Sequence, residues 1–459
     1  MKKILFIALV ASLGVSGCLV GPKYVAPDMP GTGQYMNANT YIDTSSEVVN
    51  LKWFNLFNDT VLTSLIDTAL YNNYDLRIAI SRIEQSNALY GFIKADQYPA
   101  FGYSVGAGRT NTTNVPSPTD GYNEFNLTGT VSWEIDLWGK IRHSKRGAYN
   151  DYLASIEARK AIQTQLVSDV ASLYFQLRDV DNKINITRRT IQSRQQSYDI
   201  LSEQFAKGYI AQLDVFQVEQ LLREAEAALP NFERQRTYIE QAIDVLLGQP
   251  SAPIRRGIEN SMQPLPPAIP AGLPSSLLQN RPDVKAAEYT YIAENERIGV
   301  AVAQRYPSFS ITGLLGLASP DVGKLLTGDA VSSQLFGGLM GPIFQFGKNK
   351  RRVEYQKKEA EIAMYKYQKA YISALSEVES ALVACATYKT ENDARILQAQ
   401  AASGGLTLSQ ARYDNGYVSY LEVLDSQRSL FNSELAVSTV KQQQLNAYVQ
   451  LYKALGGGW

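Results

Sequence analysis

Three stretches of the chain alternate between apolar and polar residues with a period of two. Between Phe125 and Leu137 the odd positions are mainly apolar, while the even positions carry Asn, Thr, Ser, Glu and Asp. The same odd-numbered apolar phase runs from Phe101 to Ala107 and from Phe309 to Leu317. This period predicts β-strands that each have one apolar and one polar face.

The strands group into two predicted β-hairpins, over 100–138 and 308–346. A fourth strand is predicted near 334–345, although Phe336 and Met340 fall in its polar phase. Strands of about ten residues with this alternation fit a transmembrane β-barrel around a wet lumen. A soluble hairpin with one buried face fits the alternation equally well.

Helical patterns fill 141–207 and 349–415, which lie in proline-free parts of the chain and are rich in Ala, Gln, Glu, Lys, Arg and Leu. A helix of that length would reach about 100 Å. Each carries apolar residues at spacings of three and four: Val167, Val170, Tyr174 and Leu177, and Leu375, Val378, Leu382 and Cys385. The spacing predicts coiled-coil-like seams, and it places Cys385 in a core rather than in a redox site.

Each long helix ends at a glycine, Gly208 or Gly416, which is followed by a second helical stretch. Glycine at this position is typical of a helix C-cap. We therefore predict two helical hairpins with tips at these glycines. The return helices should reach about Leu247 and Leu455, with a kink at Pro230.

The second half of the chain repeats the first at a shift of 208 residues. Pairs that keep this shift are Asp75 and Asp283, Gly139 and Gly347, Gly208 and Gly416, and Leu247 and Leu455. We assign repeat 1 to 51–248 and repeat 2 to 283–459, with a proline-rich connector over 249–282. Because the shift stays constant along the chain, the two copies have kept the same length, which indicates that they form equivalent parts of one structure.

The composition excludes several classes of function. The chain has 44 acidic and 44 basic residues, so nothing in its charge favours nucleic-acid binding. With two cysteines and one histidine, we expect no disulfide framework, no Cys/His metal site and no cofactor. No nucleophile motif or phosphate loop favours an enzyme, and His143 is expected at a surface or interface.

The N-terminus has the pattern of a bacterial lipoprotein. Residues 1–17 are predicted to be a signal peptide, and Val15-Ser16-Gly17-Cys18 is similar to a lipobox, in which Cys18 would carry a diacylglycerol and an N-acyl chain. The alternative is an ordinary signal peptide beside an accidental cysteine. Leu19 favours sorting to the outer membrane, and 18–50 would be an extended, lipidated segment.

Two observations favour the membrane barrel over the soluble hairpins. They are the lipobox and the long polar loops 110–123 and 319–333, which suit the external loops of a barrel. Four strands cannot close a barrel, and an open sheet edge is not tolerated in lipid. The chain is therefore predicted to oligomerise.

Several motifs in fixed order resemble the lipoprotein branch of the TolC-like outer membrane factors. They are Cys18-Leu-Val-Gly21-Pro22, Trp133-Glu-Ile-Asp136-Leu137-Trp-Gly139, Arg281-Pro282-Asp283, Tyr306-Pro307-Ser308-Phe309, Tyr420-Leu421-Glu-Val-Leu424-Asp425 and Leu455-Gly-Gly-Gly-Trp459. The resemblance covers essentially the whole mature chain. It implies an α+β membrane protein, in which a trimer closes a barrel of twelve strands continuous with a periplasmic helical barrel.

The resemblance also implies a function. The trimer would be a passive outer membrane channel, the exit duct of a tripartite efflux system, together with a periplasmic adaptor protein and an inner-membrane transporter, expected to be proton-driven. Adaptor docking falls on the tips, at Gly208, Tyr209, Gly416 and Tyr417. The exported cargo belongs to the transporter and adaptor more than to this chain.

In the TolC-like outer membrane factors, acidic residues near the second tip close the periplasmic end of the channel. The matching positions are Asp425, Glu422 and Tyr413, with Asp214 at the place of Glu422 in repeat 1. These acids would also suit the dipole of a solvated first helical turn. Val418 stands where some relatives have a basic partner, which removes a salt bridge at that position.

Two other functions remain open. A type I secretion duct for proteins would share the channel architecture. A lipid-anchored coiled-coil envelope protein would share the long helices, but it would not need amphipathic strands.

Overall fold

The computed structural model describes residues 19–29, 58–110, 122–259, 262–265 and 281–457. The chain forms two compact units. Of the described residues, the sheet unit comprises those up to Asp28 and those within Ser81–Ile156 and Ala286–Gln368, and the helical unit comprises those within Met29–Ile80, Glu157–Lys285 and Lys369–Trp459. The predicted signal peptide, Cys18, most of 18–50 and most of loop 110–123 lie outside the described residues.

The elements of the described residues follow each other in this order: α1 Thr60–Asn72, α2 Tyr74–Ala95, β1 Ala100–Thr110, β2 Tyr122–Ile135, α3 Lys140–Ala206, α4 Gln212–Leu246, α5 Pro282–Ala303, β3 Ser308–Ser319, β4 Val331–Met340, α6 Lys348–Asp414 and α7 Tyr420–Ala454. Two short 3₁₀ turns, Val322–Lys324 and Gly328–Ala330, join β3 to β4. Within the described residues, no helix combines the length and the apolar character needed to cross a membrane.

The 208-residue repeat is confirmed at the level of single residues. Helices α2 and α5, α3 and α6, and α4 and α7 begin and end at positions that differ by 208. The long helices α3 and α6 have 67 residues each, and the return helices α4 and α7 have 35 each. Pro230 does not end α4, which continues through it.

Strands β1 to β4 form one antiparallel sheet in chain order. Opposite residues have equal parity: Phe101 faces Val131, Trp133 faces Ile311, and the β3–β4 pair follows the same rule. Because side chains alternate between the two faces of a sheet, all odd positions share one face and all even positions share the other. The odd face carries most of the aromatic and aliphatic residues, so the predicted phase is confirmed.

The fourth strand lies earlier than predicted. It covers Val331–Met340 instead of the region near 334–345. The ladder stops before Pro342, because proline has no backbone N–H to donate to a neighbouring strand. The predicted phase of Phe336 is confirmed, since it lies opposite Thr312 on the polar face.

The core of the helical unit is built on the predicted seam of α3. Its members Val167, Val170, Tyr174 and Leu177 are all buried. They pack in one cluster with Leu62 and Ile66 of α1, Ile243 of α4 and Leu445 of α7. The spacing of three and four therefore predicted the buried face correctly.

The equivalent seam of α6 forms a smaller cluster. Val378 and Leu382 are buried, and Leu375 and Cys385 pack against them. Burial raises the pKa of the Cys385 thiol to about 12. The side chain is thus an uncharged thiol at neutral pH, which suits its apolar place.

Arg281 explains why the Arg-Pro-Asp motif stands at the start of α5. The side chain is buried and donates to Asp283 Oδ2 at 2.7 Å, to Glu377 Oε2 at 2.8 Å and to the carbonyl of Ala454 at 3.0 Å. One guanidinium therefore joins the first turn of α5 to α6 and to the end of α7. Bidentate geometry of this kind is a property of arginine that lysine lacks.

The expectation that His143 lies at a surface or interface is wrong. Its side chain is 2% exposed and contacts Glu296 of α5. The basic residues next to it in sequence, Arg142 and Lys145, turn to other partners, Asp136 and Gln97. The ring is buried because it lies on the face of α3 that packs against α5.

Candidate functional site

The two helical hairpins turn with the same backbone geometry. In the first, the amides of Gly208 and Tyr209 donate to the carbonyls of Phe205 and Gln204 at 2.8 and 3.0 Å, and the second repeats this pattern at Gly416. This pair of bonds is the Schellman motif, which needs a left-handed residue after the helix. The glycines supply φ values of +78° and +74°.

Nothing else at the tips requires glycine. A Cβ added at either position would meet no atom within 4 Å. The glycines are therefore needed for their backbone conformation, and they leave the surface around them open.

That open surface is apolar at both tips. Tyr209 and Tyr417 are 77% and 78% exposed, and Leu213 and Leu421, also related by 208, are 63% and 55% exposed. Each tip thus presents one tyrosine and one leucine to its surroundings.

A cleft of about 600 Å³ lies between the N-terminal parts of α4 and α7, over Gln217–Glu224 and Ser419–Arg428. It brings together the predicted gate acids Glu422 and Asp425 with Gln217, the repeat-1 counterpart of Asp425. Glu224 adds a third carboxylate to its wall. Within the described residues, no group of three or more His, Cys, Asp or Glu side chains is placed so that it could hold a metal ion.

Glu422 and Asp425 each have a basic partner, which the sequence pattern did not predict. Arg412 donates to Glu422 Oε1 at 2.9 Å, and Arg428 pairs with Asp425. Arg428 could have been found from its i,i+3 spacing on the helix. Arg412 could not, because the turn at Gly416 is what returns the chain to it.

Repeat 1 keeps an acid at one of these positions, Asp214 in place of Glu422, and has glutamine at the other three. Gln204, Gln217 and Gln220 stand 208 residues before Arg412, Asp425 and Arg428. The ion pairs therefore belong to the second tip alone, although both tips share one backbone design.

Tyr413 joins the two hairpins. Its hydroxyl donates to Gln204 Oε1 at 3.1 Å, and its ring lies edge-on to Tyr420 at 4.9 Å between centroids. Tyr420 is buried in a cluster with Leu201, Val218, Leu221, Val423 and Leu424. Burial raises the pKa of Tyr420.

Asp214 has a local partner. Its carboxylate accepts a hydrogen bond from the amide of Ala211 at 3.2 Å, at the start of α4. This contact satisfies one of the free N–H groups at a helix N-terminus. Asp214 therefore caps its helix, whereas Glu422 reaches across the turn to an arginine.

Two apolar positions are covered at one tip and open at the other. Leu424 is 3% exposed, whereas its repeat-1 counterpart Phe216 is 57% exposed. Tyr413 is half-buried, whereas its counterpart Phe205 is 42% exposed. Repeat 2 buries this face on repeat 1 of the same chain, and repeat 1 keeps the equivalent face free.

A buried arginine lies behind the cleft. Arg194 is 1% exposed, donates to the carbonyl of Leu221, and has its guanidinium carbon 5.1 Å from the centroid of the Phe431 ring. A carboxylate oxygen of Glu224, which lines the cleft, lies 4.0 Å from a guanidinium nitrogen of Arg194. Burial lowers the pKa of Arg194, while Glu224 acts in the opposite direction.

A family model described as outer membrane efflux protein matches residues 65–249 and 273–457. The two matched segments follow the two repeats. The chain is similar to the solvent efflux pump outer membrane protein SrpC of Pseudomonas putida, with 33% identity over 98% of this chain and 97% of that protein.

Two further proteins extend the comparison. The cation efflux system protein CusC of Escherichia coli is 30% identical to this chain, and the match covers 98% of this chain and 97% of that protein. The crystal structure of the CmeC outer membrane channel of Campylobacter jejuni matches with a TM-score of 0.90 and 27% identity, covering 96% of this chain and 95% of that one.

Proposed function

The chain belongs to the outer membrane efflux protein family, and on that premise we propose that three copies form one passive exit duct of a tripartite pump. Members of this family are outer membrane channels and not enzymes.

The main support for a trimer is the shape of the sheet, which is open at both edges within the described residues. It has one apolar face, and no described strand pairs with the outer edge of β1 or of β4. Unpaired N–H and C=O groups cannot face lipid, so these edges need partners. Pairing β4 of one copy with β1 of the next would close a barrel of about twelve strands.

The tips support the same assembly. The face that carries Phe205 and Phe216 is the duplicate of a face that repeat 2 buries within the chain. A second copy could cover it in the equivalent way. Its repeat-2 surface would offer Ser426 and Ser429 at the places where repeat 1 offers Val218 and Leu221.

We place the periplasmic gate at the second tip. Three-fold symmetry would bring three copies of Glu422, Asp425, Arg412 and Arg428 toward one axis. Rings of carboxylates attract cations, and their ion pairs can break and re-form at modest cost because they are exposed. The glutamines of repeat 1 would separate the three charged units.

We place adaptor docking on the exposed Tyr209–Leu213 and Tyr417–Leu421 surfaces. Apolar side chains on a rigid turn suit a partner that presents its own apolar hairpin or groove. The adaptor would link the duct to an inner-membrane transporter, which we expect to be proton-driven and to supply the energy.

The proposal includes a lipid anchor at Cys18, supported by the lipobox pattern in the sequence. Acyl chains would hold the N-terminus in the outer membrane, but they would not span it. Loss of palmitate incorporation in Cys18→Ala is the expected result, and unchanged incorporation would refute the anchor.

The cargo is proposed to be toxic solutes of low molecular mass. The relatives carry names for solvent and cation efflux, which favours efflux over a type I secretion duct for proteins. A non-channel envelope protein would leave the amphipathic strands without a role.

Conductance in planar lipid bilayers tests the proposed duct. The purified protein should give stepwise currents whose size does not depend on an energy source. Protein that inserts at trimeric mass but gives no current would contradict it.

A further inference from the structure

The single histidine of the chain is surrounded by hydrogen-bond acceptors. His143 Nδ1 lies 2.5 Å from Glu296 Oε2, and His143 Nε2 lies 3.0 Å from the carbonyl oxygen of Val20. A backbone carbonyl can only accept a hydrogen bond, and an ionised carboxylate can only accept as well. A neutral imidazole has one N–H and could satisfy one of the two.

Val20 belongs to the N-terminal arm, residues 19–28, which docks on the sheet unit through several further contacts. The amide of Val20 donates to the carbonyl of Trp138 at 3.3 Å. Tyr24 donates to Glu288 Oε1 at 3.0 Å, and its ring lies 5.4 Å from that of Tyr291.

Two glycines make room for the ring and the arm. A Cβ at Gly299 of α5 would lie 2.5 Å from atoms of the imidazole. A Cβ at Gly21 would lie 2.8 Å from the Cα of Gly299, and Gly21 has a φ of +140°. The arm, the helix and the histidine are therefore in close contact at one point.

We propose that His143 is held as an imidazolium and clamps the N-terminal arm to α5. One ring N–H bonds to Glu296 and the other to the carbonyl of Val20, so one charged ring on α3 joins α5 and the N-terminal arm. The arm begins directly after Cys18. The clamp thus fixes where an acylated N-terminus enters the membrane relative to the strands.

The proton belongs on the ring rather than on the carboxyl. Imidazole is a stronger base than a carboxylate, so a proton shared between the two side chains rests on the ring. Within three residues of His143, Glu296 and Val20, the charged side chains besides Glu296 are Lys140, Arg142, Lys145 and Arg146 on α3, Glu294 and Arg297 on α5, and Lys23 on the arm. Of these, Arg297 bonds to Asp151 at 2.5 Å, whereas Glu296 itself contacts the ring.

The duplicated half of the chain lacks this arrangement. Arg351 and Ala88 stand at the places equivalent to His143 and Glu296, and Arg351 is exposed and pairs with Glu354. The clamp is therefore a separate addition to the repeat. It also forms within one chain, so it does not rest on the trimer.

The protonation state can be observed directly, because a chain without an affinity tag has one histidine. We would measure solid-state NMR of full-length protein labelled with ¹⁵N-histidine, in lipid, as a function of pH. Both ring nitrogens should carry protons at pH 7.5, because each lies within hydrogen-bond distance of an acceptor oxygen. A neutral tautomer at pH 7 would overturn the proposal.

Docking of the arm has its own readout. Trypsin cleavage after Lys23 should be about tenfold faster in His143→Phe and in Glu296→Gln, because the arm opens more often. Arg351→Phe is the matched control and should leave the rate unchanged. If His143→Phe does not fold, the cleavage rate of Glu296→Gln alone tests the clamp. A wild-type cleavage rate in Glu296→Gln would overturn the proposal.

Discussion

Arg412 donates a hydrogen bond to Glu422 at 2.9 Å across the glycine turn that joins α6 to α7. The two residues are ten apart in sequence, and the turn at Gly416 brings them together. Gln204 stands at the equivalent position in repeat 1. We therefore expect the second tip to respond to changes of charge and the first tip to tolerate them.

Asp425→Ala should raise single-channel conductance and weaken block by multivalent cations. The substitution removes three carboxylates from the proposed ring and frees Arg428 from its partner. Planar-bilayer recordings at several concentrations of a trivalent cation measure both effects. Gln217→Ala is the matched control in repeat 1. Equal effects of the two variants would show that the gate does not lie at the second tip.

Arg412→Gln, which installs the repeat-1 residue, should make the channel more cation-selective. It leaves Glu422 without its ion pair, and an unpaired carboxylate attracts cations more strongly. Reversal potentials in a salt gradient measure the selectivity. An unchanged reversal potential would mean that Glu422 does not face the conducting path.

Tyr417→Asp should lower efflux in cells without lowering the amount of oligomer. The side chain is 78% exposed, so a charge there disturbs a partner more than the fold. Susceptibility of a strain that lacks its own duct measures efflux, and native gels measure assembly. A parallel loss of oligomer would assign Tyr417 a structural role instead.

Two glycine substitutions on the same helical hairpin should change stability in opposite directions. Gly416→Ala forces a left-handed residue to carry a Cβ and should cost about 1–2 kcal/mol per chain. Gly405→Ala lies inside α6 with no atom within 4 Å of the new Cβ and should stabilise the helix by about 0.5–1 kcal/mol. Thermal unfolding followed by circular dichroism gives the sign of each change.

The contact between Asp283 and Arg281 should make stability fall in acid. Burial alone would raise the pKa of Asp283, but the hydrogen bond and charge of Arg281 outweigh it, so the folded pKa is lowered. A lowered pKa contributes stability above the unfolded value of about 3.9, and this is lost as pH falls below it. Asp283→Asn should therefore reduce the melting temperature at pH 7, and the difference from wild type should shrink below pH 4.

The sequence predicted the parts of the fold that depend on local pattern. The period of two gave the strand faces, because parity survives every strand pairing in the sheet. The spacing of Val167, Val170, Tyr174 and Leu177 gave the buried face of α3. The bounds of β4 were predicted less well, because Phe336 and Met340 break the alternation there and leave the ends of the strand without a clear pattern.

The contacts of the site depended on tertiary structure. Glu296 lies 153 residues from His143, and the repeat gives no hint of the pair, since Ala88 and Arg351 replace it in the equivalent positions. Two residues after Gly416, where some relatives have a basic gate partner, the sequence has Val418 and predicts no salt bridge. The structure supplies a basic partner for Glu422 from Arg412 instead, in the last turn of α6.

The most direct test of the account is a structure of the full-length protein in lipid nanodiscs by electron cryomicroscopy. We expect three chains, with β4 of each copy hydrogen-bonded to β1 of the next and the Glu422–Arg412 pairs of the three second tips around one axis. A sheet that ends in an unpaired edge, or a ring with another number of chains, would contradict the proposed duct.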